Sequence, residues 1–103
     1  MEVIYETKRV EKFILDLDDN ISSRVERMVD LLEKHGYELS MPHSKSLRDG
    51  LFELRVLGER PIRILYTFRY GRICIVHGFF KKTQQVPKHE IDYARRIAKE
   101  IVA

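Results

Sequence analysis

Residues 52–69 alternate side chains with a period of two, and the turn that interrupts them is short. Phe52, Leu54 and Val56 alternate with Glu53 and Arg55, and Ile62, Ile64, Tyr66 and Phe68 alternate with Arg63, Leu65, Thr67 and Arg69. A period of two is the side-chain repeat of a β-strand. Gly58 and Pro61 mark one turn, Tyr70-Gly71 reads as a tight hairpin, and residues 72–80 form the next strand. Parallel neighbours need a crossover of a dozen or more residues, so these strands form an antiparallel meander.

The flanks read as helices. Val10, Phe13, Ile14 and Leu17 follow helical spacing, and Asp18, Asp19 and Asn20 end that segment and supply an N-cap for the next. Ile21, Val25, Met28, Leu32 and His35 line one face of a second helix, which Gly36 closes. The pair reads as an antiparallel helical hairpin, preceded by a short strand at residues 2–7. Residues 39–50 lose all periodicity and read as a loop carrying Lys45 and Arg48. Pro87 suits a helix start, and Ile91, Ala94, Ile97, Ala98 and Ile101 then form an apolar stripe. The expected architecture is α+β, in the order β-α-α-β-β-β-α. At 103 residues, 44% hydrophobic and 34% charged, the chain is expected to form one domain over 1–103.

Several function classes drop out. The single cysteine, Cys74, lies in an apolar run and reads as a buried hydrophobe, which fits a reducing cytoplasm. No apolar stretch approaches the roughly 18–20 residues that span a bilayer, and the N-terminus lacks the apolar segment of a signal peptide. His35, His43, His77 and His89 show neither HxxxH nor HExxH spacing, so neither a metal site nor a cofactor is expected.

The charge distribution is informative. Residues 1–42 carry six Lys/Arg against ten Asp/Glu, whereas residues 43–82 carry nine against three. An acidic helical region and a basic sheet region imply that one face meets a polyanion. Alternation puts Arg55 and Arg63 on the sheet face opposite the Phe52/Leu54/Val56 and Ile62/Ile64/Tyr66 faces. Lys45 precedes these strands, and Lys81 and Lys82 follow them. His77 interrupts an apolar strand that the pattern leaves unoriented, and Tyr66 is expected on the core face with its hydroxyl reaching outward. Cations on a sheet face, fringed by aromatic rings, bind phosphodiesters and stack on unpaired bases. The same groups can cut RNA without metal. A base takes the proton of the ribose 2′-OH as its oxygen attacks, cations stabilise the charge on phosphorus, and an acid protonates the leaving 5′-oxygen.

Three blocks carry a family likeness. Lys45-Ser46-Leu47-Arg48-Asp49-Gly50-Leu51-Phe52-Glu53-Leu54-Arg55 resembles the "K-x-L-x-x-G-L-[FY]-E-L-R" block of RelE/HigB-like toxins, in their phage-derived Gp49-like branch. Arg63-Ile64-Leu65-Tyr66 resembles "R-[IV]-[LF]-Y", and residues 77–91 resemble "H-G-F-x-K-K-T-x-x-x-P-x-x-E-I". The resemblance implies a RelE-like sheet with a helical hairpin and a C-terminal helix. It also implies a metal-independent mRNA endoribonuclease acting on the ribosome, held in check by an antitoxin of helix-turn-helix type. By carry-over, Arg55, Arg63, Lys81, Lys82 and His77 are candidate catalytic residues, and Lys45, Arg48 and Tyr66 candidate substrate-binding residues. Arg55 and Arg63 would hold the phosphate, Lys45 would contact it, and Lys81 or Lys82 would bind RNA or act as the acid. The alternatives are a toxin of the same fold acting on another target, such as DNA gyrase in the ParE branch, and a non-catalytic nucleic-acid-binding domain.

Overall fold

A computed structural model describes residues 1–102. Five strands and three helices follow in order: β1 (Val3–Tyr5), α1 (Lys8–Leu15), α2 (Asp19–His35), a 3-10 turn (Gly36–Glu38), β2 (Ser44–Ser46), β3 (Leu51–Val56), β4 (Ile62–Arg69), β5 (Arg72–Phe80) and α3 (Lys88–Lys99). The sheet order is β1-β5-β4-β3-β2. The meander β3-β4-β5 is antiparallel, β2 adds antiparallel to β3, and β1 runs parallel to β5. The α+β class is as expected. The strand β2 corrects the reading of residues 39–50 as loop: its three polar residues carry no apolar alternation, and it exists through its pairing with β3.

Local signals place the ends of the elements. Thr7 caps α1 by accepting from the Val10 amide, and Asp18 caps α2 by accepting from the Ile21 amide. Tyr70 and Gly71 both take positive φ, of 53° and 71°, as a two-residue hairpin matched to the strand twist requires.

The sheet is covered on both faces, unequally. On one side, Ile21, Val25, Val29 and Leu32 of α2 pack on Leu54, Ile64, Ile75 and their neighbours, with Val10 of α1. Each fully buried aliphatic side chain here contributes about 1.5–3 kcal/mol. On the other side, Ala94 and Ala98 of α3 lie on Leu51, Leu65, Val76 and Phe79. Small alanines let α3 approach closely, and a 12-residue helix covers only part of that face. The rest of it, towards β2 and the ends of β3 and β4, is where the cations emerge.

A β-bulge orients the strand whose pattern was ambiguous. Leu65 pairs with His77 but Tyr66 pairs with Ile75, so Val76 is the extra residue. Val76 joins the core beneath α3, and His77 bonds to α3 as well, so two successive side chains reach the same face. Both faces of this strand are covered, by Ile73 and Ile75 on one side and Val76 and Phe79 on the other, which is why its all-apolar pattern left His77 unassigned.

Candidate nucleic-acid interface

The partly uncovered sheet face carries an ordered row of charge. Lys45 of β2 pairs with Glu53 of β3, and Arg55 of β3 pairs with Arg63 of β4. Lys81 follows β5 directly, and its amide donates to the Pro61 carbonyl at 2.8 Å, which fixes where it leaves the sheet. Lys45, Arg55, Arg63 and Lys81 line one cleft of about 450 Å³ with Glu53, closed on the α3 side by Ile91 and by residues 84–86. Four cations from four segments thus face one carboxylate.

Glu53 makes this arrangement possible. Arg55 and Arg63 stand directly opposite across two strands, where like charges destabilise the pair. Glu53 Oε1 lies 3.0 Å from Arg63 Nε, and Oε2 lies 3.8 Å from Arg55 Nε, so one carboxylate spans both guanidiniums. Glu53 and Arg63 are buried, at 2% and 7% exposure, and Arg55 is partly exposed. Burial pulls the Arg63 guanidinium below its ordinary value; Glu53 opposes that shift, and Arg55 adds to it. The Nε atoms of both arginines are buried without a well-aligned hydrogen bond, so the 3.0 Å contact acts chiefly through charge.

The remaining sequence candidates fall elsewhere. Tyr66 lies on the opposite sheet face, 1% exposed, and its hydroxyl meets Ser44 Oγ at 2.6 Å rather than reaching outward. It packs with Phe52 and Phe68 and cannot touch a ligand in the cleft, which corrects the substrate-binding expectation. Burial raises its pKa, with Ser44 opposing. Arg48 is exposed in the β2–β3 loop, at a φ of 76°, outside the cleft lining. His77 shares the sheet face of Glu53 but sits two strands away, buried under α3 with Nε2 at 2.8 Å from Glu90 Oε1. Burial lowers its pKa, the Glu90 bond opposes that, and Arg9 adds to the lowering. Lys82 turns to the other side of residues 81–87 and lines a separate cleft with His77.

Two contributors were not legible as such in the sequence. Glu53 was read only as a polar position in an alternating strand, although its i, i+2 relation to Arg55 puts both on one face. Arg95 of α3 donates to the carbonyls of Leu47 and Arg48 at 2.7 and 3.2 Å, tying down the loop between Lys45 and β3. That loop needs the tie, because Arg48, Asp49 and Gly50 all take positive φ.

The model of the phage-derived Gp49-like proteins (DUF891) matches residues 12–99. The chain belongs to this family. It is a toxin-like family, and the match runs from α1 to the end of α3, so it takes in every side chain of the cationic cleft. No curated protein matches the chain. Among the described residues no helix is long and apolar enough to cross a membrane, and no group of three or more His, Cys, Asp or Glu is placed to hold a metal ion.

Proposed function

We propose that this Gp49-like protein is the toxin of a type II toxin-antitoxin pair and cuts mRNA as a metal-independent endoribonuclease, on the ribosome. The observation that carries the reading is the convergence of Lys45, Arg55, Arg63 and Lys81 on one cleft around a single carboxylate. Its size and charge suit one backbone phosphate with the riboses on either side. The two guanidiniums grip the non-bridging oxygens and stabilise the charge that grows on phosphorus as the 2′-oxygen attacks, its proton passing to water in the open cleft. Lys81, at the half-exposed rim, is placed to protonate the departing 5′-oxygen, and Lys45 across the cleft holds a neighbouring phosphate. Glu53 is the one carboxylate lining the cleft, and its burial assigns it to holding the two arginines.

The charge layout supports the same reading. Glu26, Asp30 and Glu33 lie on α2, which packs on the opposite sheet face. Their field reaches Tyr5, whose pKa is raised by burial first and then by Glu33, Glu26 and Asp30. A polyanion is therefore steered to the cationic face and away from these carboxylates of α2. The partner that restrains the toxin is a cognate antitoxin of helix-turn-helix type. The test is expression without any antitoxin in a bacterial host, with transcript ends mapped. Growth arrest with new ends inside translated codons is expected. Arrest with intact mRNA and stalled gyrase–DNA complexes removes the nuclease reading.

A further inference from the structure

A second cleft is larger than the cationic one. It measures about 650 Å³ and lies between α1, the end of β5 and the start of α3. Residues 81–87 separate the two: Lys81 lines one and Lys82 the other. Consecutive Cα atoms are about 3.8 Å apart, so Lys81 and Lys82 set one lysine at the edge of each cleft on either side of one short segment.

The chemistry of this second cleft differs from that of the first. Its apolar surface is aromatic, with Phe13 and Phe80 in an edge-to-face pair at 5.5 Å. Tyr93 backs two of the lining residues: the Arg9 guanidinium lies 4.4 Å from its ring centre, and the ring lies 4.7 Å from His77. Inside, His77 is engaged with Glu90 Oε1, which leaves Glu90 Oε2 for an incoming donor. Lys12 is already taken by Asp16 at 2.8 Å, whereas Lys82 is exposed at the rim without an ion-pair partner among the described residues. Aromatic and apolar surface, a fixed carboxylate and a cation at the mouth together match a nucleobase and its phosphate better than a bare phosphodiester.

We infer that this second cleft holds a purine of the RNA strand, next to the linkage gripped in the cationic cleft, with Glu90 accepting from the base edge and Lys82 meeting its phosphate. The proposal deepens the nuclease reading and rests on it for the identity of the strand. A purine presents an amino or ring N–H edge to a carboxylate and the larger face for stacking. Uracil offers its one ring N–H between two carbonyl oxygens, which a carboxylate repels. His77 fixes the Glu90 side chain and is a positioning residue, and the buried pair explains why His77 lies apart from the arginines.

The test is an amide NMR titration of the full chain with uncleavable 2′-O-methyl trinucleotides, purine-rich against all-uridine. Shifts are expected in residues 9–13 and 77–83 as well as around the cationic cleft, with purine binding tighter by about tenfold. Glu90→Gln should remove that preference. Lys82→Ala, an exposed change that spares the fold, should weaken both ligands alike by about three- to tenfold. Shifts confined to residues 45–63, no binding, no base preference, a preference that survives Glu90→Gln, or binding unaffected by Lys82→Ala would each overturn the proposal. Purine-selective binding at residues 77–83 by a protein that cuts no RNA would keep this pocket and remove the nuclease reading. Cleavage without base preference would do the reverse.

Discussion

Replacing Glu53 with glutamine tests the electrostatic core of the site, because shape is nearly conserved and only charge is lost. At an effective dielectric constant near 20, unit charges at the 3.0 Å Glu53–Arg63 separation attract by about 5 kcal/mol before desolvation is charged against them. Removing one partner of a buried pair leaves the other uncompensated, at about 3–5 kcal/mol. The Arg55 contact adds little, since it is longer, at 3.8 Å, and its side chain is 27% exposed to screening solvent. Glutamine keeps an acceptor oxygen, so the lower end applies, about 3 kcal/mol. For a domain of this size that lowers Tm by about 12–24 °C. Thermal and urea unfolding followed by circular dichroism reads the change. Glu53→Gln combined with Arg63→Met removes the orphaned charge, so the double variant should lose less than the sum of the singles, by about 2 kcal/mol or more. The loss should also hold at raised salt, as expected of a pair shielded from counterions. A Tm within about 4 °C of the parent, or an effect that salt abolishes, would refute the assignment of Glu53 as the buried counter-charge of two arginines.

Three further outcomes follow from the packing. Gly78→Ala would bring a Cβ to 2.9 Å from Phe13 Cδ2 and 3.2 Å from Ile64 Cδ1, so the urea midpoint should fall by the equivalent of about 1–3 kcal/mol; an unchanged midpoint would contradict the close approach of α1 to β5. Arg95→Ala removes two donors from the β2–β3 loop, so hydrogen exchange at residues 47–51 should speed up while the α2 core stays protected, and equal rates would show that the loop holds itself. His77 has a lowered pKa in the folded chain, so the unfolded chain binds the proton more readily. Its contribution to stability is present in full above the ordinary value of 6.5 and is lost as pH falls below it; the Tm slope between pH 7 and 5 should flatten in His77→Gln, and an unaltered slope would place the titration elsewhere.

The sequence displayed what periodicity encodes. The meander, the helical hairpin with a cap among residues 18–20, and the sheet face shared by Arg55 and Arg63 all rest on local spacing or cap chemistry, and the structure has them. What escaped has no local signature. The strand β2 is Ser-Lys-Ser between Pro42 and Gly50, which reads as turn, and only pairing with β3 makes it a strand. Both faces of β5 are covered, so its all-apolar pattern could not aim His77. Tyr66 was placed on the correct face, but its hydroxyl partner, Ser44, lies 22 residues away. The expectation of one site for all the basic candidates failed for a similar reason. Whether Lys81 and Lys82 face one cleft or two depends on where α3 docks, and two adjacent lysines carry no record of that.

The chemistry assigned to the cationic cleft depends on a nucleophile inside the substrate, and that can be removed without touching the protein. Purified protein, with chelator present, is given an mRNA on programmed ribosomes and the same message with 2′-deoxyribose at the mapped cut site. The account predicts cleavage of the all-ribose message, none at the deoxy linkage, and a loss of about 100-fold or more in rate for a folded Arg55→Ala/Arg63→Ala variant. Cutting at the deoxy linkage, or full activity without the two guanidiniums, would contradict it.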